Sequence, residues 1–308
     1  MRDQANNWTR RPGWPRLCAV AAALFAAGTA SVPAQGESAA RLPDYLRDRG
    51  SGIPTSRPGT YVTTGEWLVE PYLFYAKNKD FEYDPSDLGF PSPQESLHGR
   101  YEATEGRVFA AYGLSERVAV ELDVGGIDAS LQRDPLDVSG LPPRLSNSGL
   151  GQLRARVNWR WMAESERRPE LFSYAEIVIP HDSDQPLAGT PDLVLNGGLG
   201  VIRGFRWGTL SMRIGLEYDT GSESAADFHE YAFEYLRRFT DRLSLYLGYV
   251  VFEGDEAYLA TELHWAPRPN IMIRLGNRLG IEAQPLSATG NSADYVPTLG
   301  VLIRFPGR

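Results

Sequence analysis

The stretch IPHDSD, residues 179–184, sets His181 and Ser183 two residues apart, so on a strand both side chains would share one face. A serine and a histidine on one face are two parts of a hydrolytic centre. The histidine takes the hydroxyl proton, and a third group must orient the histidine. The flanking residues fix no such group: Pro180, Asp182 and Asp184 read as a strand running out into a solvated loop. His98, His229 and His264 are scattered without the spacing of a metal site. GGLGVIRG, residues 197–204, lacks the strand–turn–helix setting of a nucleotide loop. The expectation is no catalysis, no metal and no cofactor.

A larger set of charged residues recurs at every second position. In LRARVNWRW, Leu153, Ala155, Val157, Trp159 and Trp161 alternate with Arg154, Arg156, Asn158 and Arg160. RVAVELDV sets Val118, Val120, Leu122 and Val124 opposite Arg117, Glu121 and Asp123. The same zigzag sets Arg213 and Glu217 opposite Leu210, Met212, Ile214 and Leu216, and Arg274 and Arg278 opposite Ile273, Leu275 and Leu279. A period of two is a strand signature. If the apolar face meets lipid, the charges must turn inward, because an Arg or Lys costs ~2–4 kcal/mol at bilayer mid-depth. The candidate lumen-lining residues are therefore Arg117, Glu121, Asp123, Arg154, Arg156, Arg160, Arg213, Glu217, Glu262, Arg274 and Arg278. They could form a self-satisfied network that holds a lumen shut, or a charge-zoned path for a small solute.

The elements that position these residues number twelve strand candidates, at about 66–77, 100–112, 117–126, 149–162, 169–180, 191–203, 208–220, 228–238, 243–252, 256–265, 271–282 and 294–305. Tight connections such as GLSE, GFRW, FTDR and APRPN alternate with long ones such as 78–99 and 127–148. Short turns on one rim and long loops on the other characterise an up-and-down outer-membrane barrel. Strands of ~10–13 residues also exceed the ~5–6 usual in globular sheets. Trp67, Trp159, Trp161, Tyr218, Tyr249, Trp265 and Phe305 fall at or near strand ends, where a lipid-facing band places its aromatics.

The first residues read as something other than fold. Arg10, Arg11 and Arg16 precede the apolar stretch LCAVAAALFAAGTA, and VPAQG offers small residues for cleavage, which predicts a Sec-type signal peptide over 1–34 cut between Ala34 and Gln35. Its removal takes away four Arg, one Asp and the single cysteine, leaving 27 basic and 38 acidic residues, a net charge of −11. That balance argues against a nucleic-acid partner. Residues 35–64 are rich in Gly, Pro and Arg without a period, and read either as a disordered leader or as an arm that folds into a lumen and plugs it. Residues 65–308 are expected to form the barrel.

Three resemblances follow. Thr298, Gly300, Ile303 and Phe305 resemble the C-terminal insertion signal of outer-membrane barrels, which implies the barrel-assembly machinery as a partner during biogenesis. YGLSERVAVELDV, SGLGQLRARVNWRW and RRPELFSYAEIVIP resemble the outer-membrane transporter-like proteins associated with phenol meta-cleavage pathways, with Gln152 where that family has Asp and IPHDSD replacing its Leu-Pro-Thr-Gly-Asp motif. This implies a twelve-stranded barrel in the outer membrane of a Gram-negative bacterium, passing small, hydrophobic or aromatic molecules. His181 and Ser183, with Asn196 as third member, loosely resemble the outer-membrane phospholipase, which implies a lipid hydrolase. The expectation is thus an all-β, antiparallel transmembrane barrel in contact with outer-membrane lipid. It would act as a channel for an unidentified solute, or else as a closed structural or adhesion-type barrel working through its long loops.

Overall fold

The computed structural model describes residues 42–94, 96–181, 185–188, 192–220, 227–252, 256–282 and 295–307. The proposed signal peptide, its Ala34–Gln35 cleavage position and Ser183 lie outside these residues. A two-stranded hairpin, β1 (Ile53–Pro54) and β2 (Tyr61–Val62), precedes the barrel, and a single 3-10 turn, Asp44–Leu46, precedes the hairpin. Twelve strands then follow: β3 (Trp67–Tyr83), β4 (Leu97–Gly113), β5 (Val118–Gln132), β6 (Arg144–Met162), β7 (Glu170–Val178), β8 (Val194–Phe205), β9 (Gly208–Asp219), β10 (Asp227–Thr240), β11 (Leu243–Phe252), β12 (Glu256–Arg268), β13 (Ile271–Glu282) and β14 (Tyr295–Phe305). Each pairs antiparallel with its neighbours in sequence, and β14 returns to β3 with Phe305 opposite Trp67, closing the barrel. Closure leaves no open sheet edge around the ring, which is what a sheet needs in order to stand in hydrocarbon.

The outward face carries the apolar half of each zigzag. Leu73, Leu122, Leu199, Ile214, Leu216 and Leu275 are all exposed. So much contiguous apolar surface is not sustained in water and identifies the face as the one that meets lipid. Trp67, Trp159, Trp161, Trp207 and Trp265 stand exposed on the rim of short turns, with Trp67 against Tyr112 at 4.6 Å and Trp159 against Trp161 at 5.8 Å. Toward the opposite rim Tyr75 meets Tyr295 at 6.4 Å. From Trp67 to Tyr75 the strand runs about 26 Å at ~3.3 Å per residue. A tilt of ~40° reduces this to about 20 Å, comparable with the ~25 Å apolar band of such barrels.

The first four strands run further than the zigzag of their lipid face. β3 continues to Tyr83 and β4 begins at Leu97, so the long connection shrinks from 78–99 to 84–96, and that of 127–148 to 133–143. The reason is an inversion of polarity. Beyond Gly126 the outward positions of β5 become Asp128, Ser130 and Gln132, while Ala129 and Leu131 are buried inside. Above the bilayer the outer solvent is water, so the apolar face turns in. A second apolar core results, built from Tyr83, Ala103, Ala129, Leu131, Leu141 and Leu187 with Leu88 and Phe90 packed against it. It ties the loops over the mouth: Tyr83 Oη donates to Asp137 at 2.9 Å and accepts from the Asp134 N–H at 2.9 Å.

Candidate functional site: a lumen filled by the N-terminal arm

The inward halves of the zigzags converge on residues 42–65, which fold inside the barrel rather than away from it. Arg49 Nη2 donates to Glu164 and to Glu170, both at 2.9 Å, with all three side chains buried. Arg57 grips Glu70 of β3 through Nε at 3.1 Å and Nη2 at 3.0 Å, and its guanidinium lies 4.0 Å from the centroid of Tyr72. Glu121 of β5 accepts from the Ser56 main-chain N–H at 3.0 Å and from its hydroxyl at 2.5 Å. Arg160 of β6 donates to the carbonyls of Ser51 and Gly52. Arg274 of β13 donates to the Thr60 hydroxyl at 2.9 Å and the Pro58 carbonyl at 2.7 Å. Arg304 of β14 reaches the Tyr61 carbonyl at 3.2 Å. Partners on so many strands around one ring place the arm within the lumen.

Apolar contacts complete the seat. Ile53 and Val62 pack with Leu68, Phe109, Ala119 and Leu302, while Tyr61 packs with Phe172, Ile202, Leu236 and Tyr246. The arm then meets the rim at Gly113, whose N–H donates to the Glu66 carbonyl and whose carbonyl accepts from Gly65. A Cβ at position 113 would overlap the Thr63 carbonyl oxygen, so only glycine allows this approach. Between arm and wall a cavity of about 20 Å³, lined by Arg57, Tyr61, Phe172, Arg213 and Glu234 among others, has room for about one water.

The arm also balances charge. Among buried wall residues the carboxylates Glu70, Glu105, Glu121, Glu170, Glu176, Glu230 and Glu262 outnumber the guanidiniums Arg107, Arg156, Arg160 and Arg274. Arg49 and Arg57 of the arm are placed against this excess. Burial on its own would lower the Arg57 pKa, but the charge and hydrogen bond of Glu70, with Tyr72 and Glu262, together carry the net shift upward; Arg49 is raised in the same way, by Glu170, Tyr61 and Glu164 together. Both guanidiniums therefore stay charged throughout the accessible pH range.

Within the wall, Arg107 pairs with Asp123 at 3.1 Å, Arg156 with Glu176 at 3.0 Å, Arg160 with Glu170 at 3.1 Å, and Arg213 with Glu234 at 3.1 Å. Arg154 hydrogen-bonds Gln152. Arg274 joins Glu70 at 3.0 Å to Glu262 at 2.5 Å, and Glu262 also meets His264 at 3.2 Å. Glu121, Asp123, Arg154, Arg156, Arg160, Arg213, Glu262 and Arg274 are thus brought together as one inward network. Glu217 and Arg278 are partly exposed nearer the long-loop rim, Glu217 opposite Asn196 of β8 and Arg278 opposite Val296 of β14. Arg117 differs from expectation: its side chain is exposed at the turn before β5, although its carbonyl still accepts from the Arg160 N–H at 2.7 Å.

Sequence reasoning missed Glu70, Glu105, Arg107, Glu170 and Glu176 of the wall, and Arg49, Arg57 and Glu164 outside the strands. In WLVEPYLFY the inward face reads Leu68, Glu70, Tyr72 and Phe74, so the lone carboxylate lies in an apolar setting. The usable signal was the excess of Arg in 41–57, which an acidic lumen would attract.

Of the hydrolytic set, His181 and Asn196 fall among the described residues and each engages other groups. Both ring nitrogens of His181 face main-chain carbonyls, Ile179 at 3.0 Å and Leu150 at 3.1 Å, and the second of these lies on a stretch of β6 that pairs only with β5. Asn196 is turned inward and donates to Glu176 at 3.2 Å. No group of three or more His, Cys, Asp or Glu suited to a metal ion occurs among the described residues. Of the C-terminal signal, Phe305 and Ile303 pair with Trp67 and Val69 and by alternation share their side of the sheet, Ile303 being buried there, while Thr298 and Gly300 fall on the lumen side.

No protein-family model matches this chain, and neither does any curated protein. Among solved structures it is similar to an outer membrane channel from Pseudomonas putida, at 13% identity over 82% of this chain and 99% of that one, with a TM-score of 0.56. Weaker likenesses are to the toluene transporter of Ralstonia pickettii (9% identity, 80% and 90% covered, TM-score 0.39) and to the translocator domain of an autotransporter from Neisseria meningitidis (11% identity, 79% and 89% covered, TM-score 0.35). At such identities the likeness is one of fold, and what this chain shares with the channel is a barrel architecture.

Proposed function

We propose that this chain is an outer-membrane channel for a small solute, exported by its signal peptide and closed at rest by its own arm. The observation that carries the reading is the seat of residues 42–65. The charged wall is satisfied by a separable segment joined to the barrel only through its C-terminal end, whereas a purely structural barrel could close its lumen with wall side chains alone. Displacing the arm would open a polar path without breaking any strand pairing. Hydrophobic or aromatic solutes are the class that the phenol-pathway resemblance suggests.

The test is passage through the reconstituted protein. Full-length chain and a deletion of 35–64 are compared by liposome swelling with sugars, amino acids, phenol and benzoate, and by single-channel current. The expected result is little passage for the full chain and clear passage after deletion. A second reading, a closed adhesion-type barrel, draws on Leu136 and Val138, which are 76% and 77% exposed at the tip of the loop after β5. Absence of passage in both proteins would favour it and overturn the channel.

A further inference from the structure

The chain has only two lysines, Lys77 and Lys79, against 29 arginines, and both line one concavity of about 400 Å³. Arg100, Arg144, Glu102, Ser130 and Gln132 complete its lining. These residues come from the extended ends of β3–β6 and share the outward face: Lys77 lies opposite Glu102, Glu102 opposite Ser130, and Gln132 opposite both Arg100 and Arg144. The concavity is therefore on the outside of the barrel and not part of the lumen. Four cations surround one carboxylate, and that carboxylate is already engaged by Lys77 Nζ at 2.8 Å. Arg144 donates to the Ser130 hydroxyl at 3.0 Å. Lys79 and Arg100 have no carboxylate partner among the described residues.

Depth decides what such a cluster meets. Tyr75, two residues before Lys77 on the same face, belongs to the aromatic ring that ends the apolar band. One strand step beyond that ring is the level of lipid headgroups. It is also where the outward face of β5 changes from apolar to polar. Lysines beside an anionic lipid surface gain electrostatic attraction, and their flexible stems tolerate a phosphate that moves with its lipid. We propose that this concavity binds the phosphate groups of an anionic lipid in the leaflet at the long-loop rim, holding that lipid against β3–β6. The inference rests on the membrane placement of the barrel and is independent of whether the lumen conducts.

The experiment uses the full chain refolded in detergent, with bisphosphorylated lipid A as probe and phosphatidylcholine and inorganic phosphate as comparisons. Binding is read by native mass spectrometry and by acetylation of the two lysines, which makes the site its own reporter. Lipid A is expected to bind at low micromolar or tighter concentration and to protect Lys77 and Lys79. Replacing all four cations (Lys77→Gln, Lys79→Gln, Arg100→Gln, Arg144→Gln) is expected to weaken binding by roughly tenfold or more. Arg242→Gln, in an exposed turn on the opposite rim, is expected to leave it unchanged. The proposal is overturned if the fourfold variant, folded by heat-modifiable migration, binds lipid A as the parent does. It is equally overturned if phosphatidylcholine protects the lysines as well, or if inorganic phosphate alone displaces lipid A at equal concentration. Failure of solute passage would leave this result untouched, so the two readings fail separately.

Discussion

Arg57, Glu70 and Arg274 form the centre of the lumen, and each has a partner on a different part of the chain. Glu70 is fully buried and holds both guanidiniums. Removing one member of a buried ion pair costs ~3–5 kcal/mol, because the charge left behind has lost its compensation. Arg57→Ala should therefore loosen the arm while the strand ladder stays intact. The expected result is protease cleavage within 42–64 and frequent channel openings, in protein whose heat-modifiable migration is unchanged; an arm as protected as in the parent would refute the assignment. Gly300 offers a second test at this scale. A Cβ there would overlap Glu70 Oε1, so Gly300→Ala should push Glu70 away from Arg57 and mimic that variant. If Gly300 serves only insertion, the yield of folded barrel falls and the arm stays protected.

The arm as an element has a charge of its own to lose. Deleting 35–64 removes Arg49 and Arg57 and leaves Glu70, Glu121 and Glu170 without their arm partners. The emptied lumen is then acidic, and the expected current is cation-selective, read as the sign of the reversal potential across a potassium chloride gradient. An anion-selective current would mean that the wall arginines dominate the path. The strands themselves were legible from sequence because the period of two persists through all twelve, and lipid on one side forces strict alternation. The extensions of β3–β6 were not, since the apolar face changes sides near Gly126 and the two halves then contradict each other as one pattern. The inward placement of Glu121, Arg156 and Arg274 followed from alternation alone. Their partners on the arm could not, because Ser56, Arg57 and Thr60 sit in an aperiodic stretch whose position is set by contacts 13 to more than 200 residues away.

The whole molecule faces three solvents, and each explains one region of the sequence: lipid around the middle of the strands, water around their outer ends, and the chain's own arm within. This ordering makes the cost of a charge depend on depth as well as on face. Ile214, exposed near the middle of β9, and Asp128, exposed on the extended end of β5, both point outward. Ile214→Arg should destabilise the barrel by ~2–4 kcal/mol, whereas Asp128→Arg, beyond the aromatic ring, should cost about 0–1 kcal/mol. Urea titration of the folded fraction in lipid vesicles, followed by heat-modifiable migration, measures both. Equal costs would contradict the depth assignment, for a barrel wholly in water would treat the two exposed sites alike. If the Ile214 variant suffers alone, the apolar belt is in contact with hydrocarbon, and the charges facing away from it have no solvent except the lumen and the arm that fills it.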